Sequence, residues 1–498
     1  MSKIDKEVLK ELMPKQDTEA DIRKNFILRN RKCSITMSLE LLHEYPAIIK
    51  VKDESGNWIL YLFNGKHYSI LNDEDLMALW HKFVMKYGIY DQWRGNRISE
   101  IIKSIHAYEG VKSLNPEDFG HYICLNNGVL DTRTRELLPH TPDIFVDSCL
   151  NIEYREENNG CPKFMQYLKE VTNNDVEMIL NIQKLGGYLF EPMCKANRIF
   201  FFTGPGSSGK STLLQIFQLF FVSEQITALS LDEMSTNSFN REALIKSRLN
   251  ISGEQKRSYL DAEQMKQIAE GSRIQIQRKF RLPLTFRPKC KVVLACNGLP
   301  KFNDTSEGTY RRLLIFNFPN QYKSPKEFEK ITNPERYGIY KLNPRLFYEL
   351  EKEKNAIFLW FLDGLEELKQ NDFLFNESGQ QSEILNEYRS DNDTIREFLV
   401  ENYEIDDSAE LSVYTVFQHY RRWYTDNVQE KGGMKLRLNE LGKRIIEVFN
   451  VARKGNVVLV NADGDKIRSA AYPVKKKYVD LPLASEELSA KLNTALPF

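Results

Sequence analysis

Residues Gly204, Pro205, Gly206, Ser207, Ser208, Gly209, Lys210 and Ser211 satisfy the spacing G-x-x-x-x-G-K-[ST], and that spacing could hold a nucleoside triphosphate. Successive backbone N–H groups close around phosphates only where no side chain intrudes, hence Gly204, Gly206 and Gly209. The Lys210 ammonium would reach the β and γ phosphates, and the Ser211 hydroxyl would ligate Mg2+. The cofactors expected are therefore ATP and Mg2+. Such a loop works only between a strand and a helix N-terminus, whose partial positive charge adds to the cradle. Ile199 to Phe202 supply an apolar run short enough for a buried strand, and Thr212 to Phe221 continue as an apolar helix.

Further chemistry follows the loop in order. Ser247 to Glu254, SRLNISGE, is a short apolar segment ending in a carboxylate. In P-loop ATPases the strand beside the P-loop strand ends in an acid that polarises the attacking water or holds Mg2+ through water, and Glu254 is the candidate. Lys291 to Asn297, KVVLACN, is a β-run ending in an amide suited to positioning water at the γ-phosphate. Arg311 and Arg312 precede another apolar strand, from which a guanidinium could enter a neighbouring subunit's site.

Between these runs, Gly271 to Lys291 carries Arg273, Arg278, Lys279, Arg281, Arg287, Lys289 and Lys291 with no acid. Ile274 and Ile276 alternate with Gln275 and Gln277, so the segment reads as two strands with a basic bend near Arg278, Lys279 and Arg281. A basic hairpin can hold nucleic-acid phosphates in a pore without reading sequence. Positive charge protecting a solvated sheet edge is the alternative.

Composition bounds the rest. A chain of 498 residues implies two to four domains. Lys+Arg and Asp+Glu both total 69, so global charge is silent about nucleic acid. Cysteines 33, 124, 149, 161, 194, 290 and 296 show no C-x-x-C and no Cys/His pairing, which argues against structural zinc and disulfides and for reduced core residues. The histidines at 43, 67, 81, 106, 121 and 140 stand singly and read as core or surface residues. The charged start MSKIDKEVLKELMPK has no apolar h-region, and no stretch approaches about 18 uncharged apolar residues. A cytoplasmic protein with no membrane partner is expected.

Residues 1–120 read as an α+β region of unclear role. It opens with a polar helical lead-in to about residue 45, followed by a β-meander from Ala47 to Ile70 with Asn64-Gly65 as a two-residue hairpin turn. Helical spacing then runs from Asp73 to about Ile105. Residues 121–190 read as a hairpin over Cys124 to Leu138 and helices over Cys161 to Tyr188, ahead of an ATPase core at 191–335 and a helical connector at 336–390. The amino-terminal region has neither the His-x-His pair of a rolling-circle nickase nor the clustered carboxylates or zinc module of a primase.

Residues 391–498 point to DNA independently. Thr394 and Glu397 have capping-box spacing, opening a helix with Ile395, Phe398 and Leu399 on one face. Further helices are expected over Val413 to Asp426 and Lys435 to Phe449, and Asp463-Gly464 turns a hairpin. Three helices and a hairpin make a winged helix, and Arg421 to Tyr478 holds 14 Lys/Arg against 6 Asp/Glu. Lys435, Arg437, Lys443 and Arg444 on the third helix, with Lys466 and Arg468 on the wing, could grip duplex DNA. A protein-docking winged helix is the alternative.

In this order and spacing, the loop, Glu254, the basic hairpin, Asn297 and the arginine pair resemble superfamily 3 helicases of the phage/plasmid primase-helicase group, which includes the poxvirus primase-helicase. NNGVLDTRTRELLPH, IQKLGGYLF, VVLACNGLPKFND and YRRLLIFNFP also look like that group's stretches, and the resemblance covers roughly Cys124 to Tyr478. It implies an α/β fold with an AAA+ P-loop core and a ring, usually a hexamer, with nucleotide between subunits and 3′ to 5′ translocation on single-stranded DNA. Lys210 and Ser211 match the P-loop pair, Glu254 the catalytic acid, Asn297 the polar sensor, and Arg311 or Arg312 the finger. Two departures stand out. Gly253-Glu254 replaces two adjacent acids, and Ser272-Arg273 follow Gly271 where an acid is usual.

The expected activity is ATP-dependent DNA unwinding in replication initiation of a mobile genetic element. The alternative is an origin-binding initiator that uses ATP as an assembly switch. The expected partners are single-stranded and duplex DNA, further copies of the chain, and a separate primase or other replication proteins.

Overall fold

The computed structural model describes residues 19–52, 58–157, 159–253, 259–260, 262–278, 281–302, 306–391, 393–427, 436–460 and 466–477. Helices α1 (Glu19–Asn30) and α2 (Ser34–Glu44) lead into an antiparallel meander of β1 (Ile48–Lys52), β2 (Trp58–Phe63) and β3 (Tyr68–Ile70). The Asn64-Gly65 turn is longer than expected. Phe63 pairs with Tyr68, and Asn64 Oδ1 accepts from the amides of Lys66 and His67 at 3.0 Å, so the asparagine side chain closes a four-residue loop. The helical stretch that follows is two helices, α3 (Asp73–Tyr87) and α4 (Gly95–Ala107), because Gly88 ends the first in a left-handed cap. Leu76, Trp80, Phe83, Ile101 and Ile105 form the core of this unit with Leu60.

A second meander, β4 (Tyr122–Leu125), β5 (Gly128–Asp131) and β6 (Leu137–Leu138), precedes α5 (Pro162–Val171) and α6 (Val176–Tyr188). The central sheet comes next. Its strands are β7 (Ile199–Thr203), β8 (Ile226–Thr227), β9 (Leu249–Ser252), β13 (Lys291–Cys296) and β15 (Leu313–Asn317), all parallel, in the order β15-β7-β13-β9-β8. Within and after it the chain forms α7 (Lys210–Gln218), α8 (Leu231–Thr236), α9 (Ala262–Ala269), α10 (Glu307–Tyr310), α11 (Pro325–Phe328), α12 (Leu346–Glu351), α13 (Lys354–Gln370) and α14 (Gly379–Asp391). Two short parallel pairs stand apart from the sheet, β10 (Tyr259–Leu260) with β14 (Lys301–Phe302) and β16 (Gln321–Lys323) with β17 (Ile339–Lys341).

A parallel sheet is buried on both faces, and the side chains of β7 divide between two cores accordingly. Phe200 and Phe202 join Val293, Leu314 and Phe316 on one face, together with side chains drawn from Ile123 to Phe375. Ile199 and Phe201 join Val292, Leu294, Leu313 and Ile315 on the other, with Leu385 and Tyr388 of α14. The second meander, α5, α6 and α13 are thus parts of the same hydrophobic core as the P-loop strand. α6 crosses α13 at glycine: a Cβ on Gly187 would lie 2.2 Å from the Phe361 carbonyl oxygen, and one on Gly364 would lie 2.5 Å from the Gln183 backbone.

The strand order corrects one sequence expectation. β13, not β9, is hydrogen-bonded to the P-loop strand on that side, and β9 lies one strand further out. Parallel strands joined by crossovers need not neighbour in chain order, so Glu254 follows a strand separated from the P-loop strand by the one that leads to Asn297.

The carboxy-terminal region comprises α15 (Thr394–Asn402), β18 (Tyr403–Ile405), β19 (Leu411–Ser412), α16 (Val413–Asn427), α17 (Leu438–Phe449), β20 (Gly455–Val460), β21 (Lys466–Tyr472) and β22 (Val474–Lys476). β20 and β21 form an antiparallel hairpin extended by β19, and Phe398, Leu399, Val416, Tyr420, Leu441 and Ile445 pack the three helices together. The cap of α15 is one residue earlier than the Thr394-x-x-Glu397 spacing implies. Asp393 Oδ1 accepts from the Arg396 amide at 3.0 Å, and Thr394 is already helical.

Two consequences for stability are measurable. Gly187→Ala forces a methyl onto a main-chain oxygen and is expected to cost about 1–3 kcal/mol in urea unfolding; an unchanged midpoint contradicts the helix crossing. Asp147, between the second meander and α5, accepts from Lys289 at 2.6 Å and pairs with Arg248. Burial alone would raise its pKa, but the Arg248 and Lys289 charges hold the carboxyl well below the usual carboxylate range. A depressed folded pKa gives stability that is complete above the unfolded value of about 4 and is lost as pH falls below it. Asp147→Asn is therefore expected to cost on the order of 3 kcal/mol at neutral pH and to flatten the acid limb of a stability-against-pH profile.

Candidate functional site

Register sets the geometry of the site. Thr203 at the end of β7 pairs with Cys296 on one side and Asn317 on the other, so the P-loop, Asn297 and Phe318 leave the sheet side by side at its carboxyl edge. Ligands of open α/β sheets bind at this edge. Beyond the paired strands, the Thr203 carbonyl accepts from the Phe318 amide at 2.8 Å.

The loop is held by its neighbours. Gly204 has φ of 136°, and a Cβ there would meet the Phe318 carbonyl oxygen at 2.2 Å. Gly209 has φ of 91° with Val171 packed beside it, and its carbonyl accepts from the Tyr167 hydroxyl at 2.8 Å. The Ser207 carbonyl accepts from the Tyr322 amide at 2.8 Å. Gly206 differs from the other two glycines: a Cβ there would meet nothing within 4 Å, so the protein's own packing does not require a glycine at that position.

Lys210 opens α7 and is only 8% exposed. Its ammonium donates to the Gly204 carbonyl at 2.7 Å, the Pro205 carbonyl at 2.8 Å and Ser208 Oγ at 3.0 Å. These acceptors are neutral, and among the described residues no carboxylate pairs with it. Burial lowers its pKa, with Cys296 acting the other way. A largely buried cation without a counter-charge, inside a loop of backbone donors, fits an anionic ligand. Ser211 is exposed and Thr212 half-buried in the first turn of the helix, where the leading amides lack intrahelical acceptors. Glu254 lies outside the described residues. Asn297 is exposed directly after β13.

The two arginines separate. Arg312 is buried, paired with Glu270 and donating to the Gly308 carbonyl within its own chain. Arg311 is exposed, with no side-chain bond to another described residue. Of the two, Arg311 is free to reach outward. Glu270 is 42 residues from Arg312 in sequence, a separation that no local pattern marks.

In the basic segment, β11 (Ile274–Arg278) and β12 (Arg281–Phe286) form an antiparallel hairpin in which Arg278 pairs with Arg281, and Ile274 and Ile276 are buried while Gln275 and Gln277 are exposed. Lys279 lies outside the described residues. Among the described residues, Lys289 and Lys291 turn inward: Lys289 binds Asp147, and buried Lys291 donates to the Glu191 carbonyl, its pKa pushed down to about 8 by burial.

In the carboxy-terminal region Lys435 lies outside the described residues. Arg437, Lys443, Lys466 and Arg468 are exposed, with Arg468 opposite Val458 and Lys466 opposite Val460 on the hairpin. Arg444 is otherwise engaged. It pairs with Asp393 at the cap of α15 and with Glu447, so its charge is already met within the chain.

Six of the seven cysteines are buried and all are free, while Cys33 is exposed and so departs from the expected core placement. The sequence reading missed one grouping: His67, Cys124 and Cys149 converge, with ligand atoms within 4.8 Å of one another. Among the described residues no helix is long and apolar enough to cross a membrane.

The arginine pair yields a direct test. Arg312→Ala breaks an intrachain ion pair and is expected to destabilise by about 1–3 kcal/mol, whereas Arg311→Ala should stay within about 0.5 kcal/mol in denaturant unfolding. Equal losses contradict the division.

Comparison with known proteins gives matches on both sides of the P-loop. A family described as D5 N terminal like matches residues 40–173, and a family of unknown function, DUF5906, matches residues 202–312. A protein of Acanthamoeba polyphaga mimivirus, whose description as helicase L207/L206 is itself provisional, is 23% identical over 341 residues, 65% of this chain and 35% of its own length. The chain thus spans about a third of that relative. Among solved structures, the A form apo structure of the NrS-1 C terminal region aligns over 88% of this chain and 98% of that one at 14% identity and a TM-score of 0.44. A second such structure, of NrS-1 residues 305–718, aligns over 89% and 100% at 11% identity and a TM-score of 0.47. The chain is therefore similar in sequence to a viral helicase-type protein, with a D5 N-terminal-like segment ahead of its P-loop sheet.

Proposed function

We propose that the chain is an ATP-dependent DNA helicase of the superfamily 3 AAA+ type, acting in replication initiation of a mobile genetic element as a ring that moves 3′ to 5′ on single-stranded DNA. The observation that carries this is Lys210: a largely buried ammonium with only neutral acceptors among the described residues, in a glycine loop at the carboxyl edge of a five-stranded parallel sheet. The sequence likeness to a viral helicase supports the choice of substrate.

On this reading Lys210 and the amides of Gly206 to Ser211 hold the triphosphate, and Ser211 and Glu254 would hold Mg2+, which would offset phosphate charge. Bound ATP supplies the free energy for translocation. Glu254 accepts the proton of the attacking water, Asn297 orients that water, and Arg311 of one subunit stabilises charge in the site of the next. Arg278, Lys279 and Arg281 grip the strand phosphates, a contact that is sequence-independent and salt-sensitive. The three helices and hairpin at the carboxyl end act as a winged helix on duplex DNA, with Arg437, Lys443, Lys466 and Arg468 as contacts, and Lys435 as a further one.

Lys210→Ala is expected to abolish ATP hydrolysis while the far-ultraviolet dichroism and unfolding midpoint stay near those of the parent; normal turnover in that variant removes the P-loop assignment. Lys279→Ala combined with Arg281→Ala is expected to weaken single-strand binding at least about tenfold at moderate salt, with basal hydrolysis retained. If binding is unchanged, the hairpin is not in the DNA path.

A further inference from the structure

Three segments distant in sequence meet at one point in the fold. His67 sits in the four-residue loop before β3, Cys124 lies in β4, and Cys149 follows the second meander. Their backbones are tied together independently of the side chains. The Tyr68 amide donates to the Val146 carbonyl at 2.7 Å, the Leu150 amide to the Cys124 carbonyl at 2.8 Å, and Cys124 and Cys149 face each other across a parallel bridge. Asn64 Oδ1 fixes the His67 amide at 3.0 Å.

The side chains are arranged for a soft ligand set. One ring nitrogen of His67 and the two sulfurs all lie within 4.8 Å of one another. Tetrahedral zinc bonds of about 2.0–2.1 Å to nitrogen and about 2.3 Å to sulfur set ligand atoms roughly 3.5–3.8 Å apart, so side-chain rotations that close the widest separation by about 1 Å would complete the contact. His67 Nδ1 is buried with no hydrogen-bond partner among the described residues, a state that costs free energy unless something fills it. The contacts of the thiols to the main chain are long, from Cys124 Sγ to the Lys66 carbonyl at 3.5 Å and the Leu125 carbonyl at 3.8 Å, and from Cys149 Sγ to the Leu150 carbonyl at 3.7 Å. Around them are Val129, Ile144 and Val146, an apolar wall that tolerates a neutral centre far better than a charged one.

We propose that His67, Cys124 and Cys149 bind one thiolate-preferring divalent cation of the Zn2+ class, clamping the amino-terminal meander to the meander that precedes the P-loop sheet. Loading releases two thiol protons to solvent. The two thiolates and the dication sum to zero charge, His67 ligates as neutral imidazole, and solvent takes the fourth position. The site is independent of nucleotide.

The test uses the full chain, reduced and stripped with chelator, titrated with Co2+ and read at the thiolate-to-cobalt charge-transfer band, with Zn2+ competition and metal analysis. One equivalent is expected to bind with that band, to be displaced by Zn2+, and to persist in Cys33→Ser. The band is expected to be lost in Cys124→Ser and Cys149→Ser, and to weaken in His67→Gln. Absence of the band in the parent, or its survival in Cys149→Ser, overturns the site. A Cys124–Cys149 disulfide whose reduction yields no Co2+ binding also overturns it. Should a serine variant fail to fold, Zn2+ protection of Cys124 and Cys149 from alkylation in the parent, mapped by peptide mass, decides: protection supports the site and equal labelling overturns it.

Discussion

The Phe318 carbonyl occupies the space where a side chain on Gly204 would stand, 2.2 Å from an ideal Cβ. This close approach fixes where the chain leaves β7, because β15 is hydrogen-bonded to β7 in register up to Asn317 and the Phe318 amide returns to the Thr203 carbonyl. From that point the loop has one course, turning at Ser207 and Gly209 with positive φ before α7 begins at Lys210. The ammonium of Lys210 is then enclosed by the carbonyls that the same turn presents to it. A shift of the β15 and β7 pairing would move the loop, the lysine and the edge to which Asn297 belongs.

That edge is supported from outside the motif-bearing segment. Tyr167 and Val171 of α5 and Tyr322 touch the loop, and α5 belongs to the hydrophobic core that also holds α6 and α13. The glycine crossing of α6 and α13 lets two backbones approach where side chains would hold them apart, which keeps this layer thin enough to cover one face of the sheet. Asp147 then ties the segment after the second meander to Arg248, immediately before β9, and to Lys289, two residues before β13. The strands that carry the chemistry are braced from 42 positions earlier by Tyr167, from 101 and 142 positions earlier by Asp147, and by Tyr322 from further along the chain.

How much of this the sequence showed depends on how local each cause is. The P-loop and its flanking strand and helix were legible because all the determinants lie within some twenty consecutive residues. The hairpin of β11 and β12 was legible for the same reason, Ile274 and Ile276 alternating with glutamines. The place of β9 was not, since nothing in SRLNIS indicates that a later strand will insert beside β7. The difference between Arg311 and Arg312 rests on Glu270, and the engagement of Arg444 rests on Asp393 at the start of another helix. His67, Cys124 and Cys149 escape any spacing rule because three separate turns of the chain bring them together. Asn64-Gly65 shows a subtler limit: the turn was correctly placed, but the Asn64 side chain lengthened it to four residues.

Strand displacement from a labelled forked DNA by the purified chain, with and without ATP, decides whether the chain is a motor. A 3′ to 5′ motor gives displacement that requires ATP and is faster on a substrate with a free 3′ tail than on one with a free 5′ tail. ATP hydrolysis and DNA binding with no displacement on either fork would contradict a motor and favour a nucleotide-switched assembly protein.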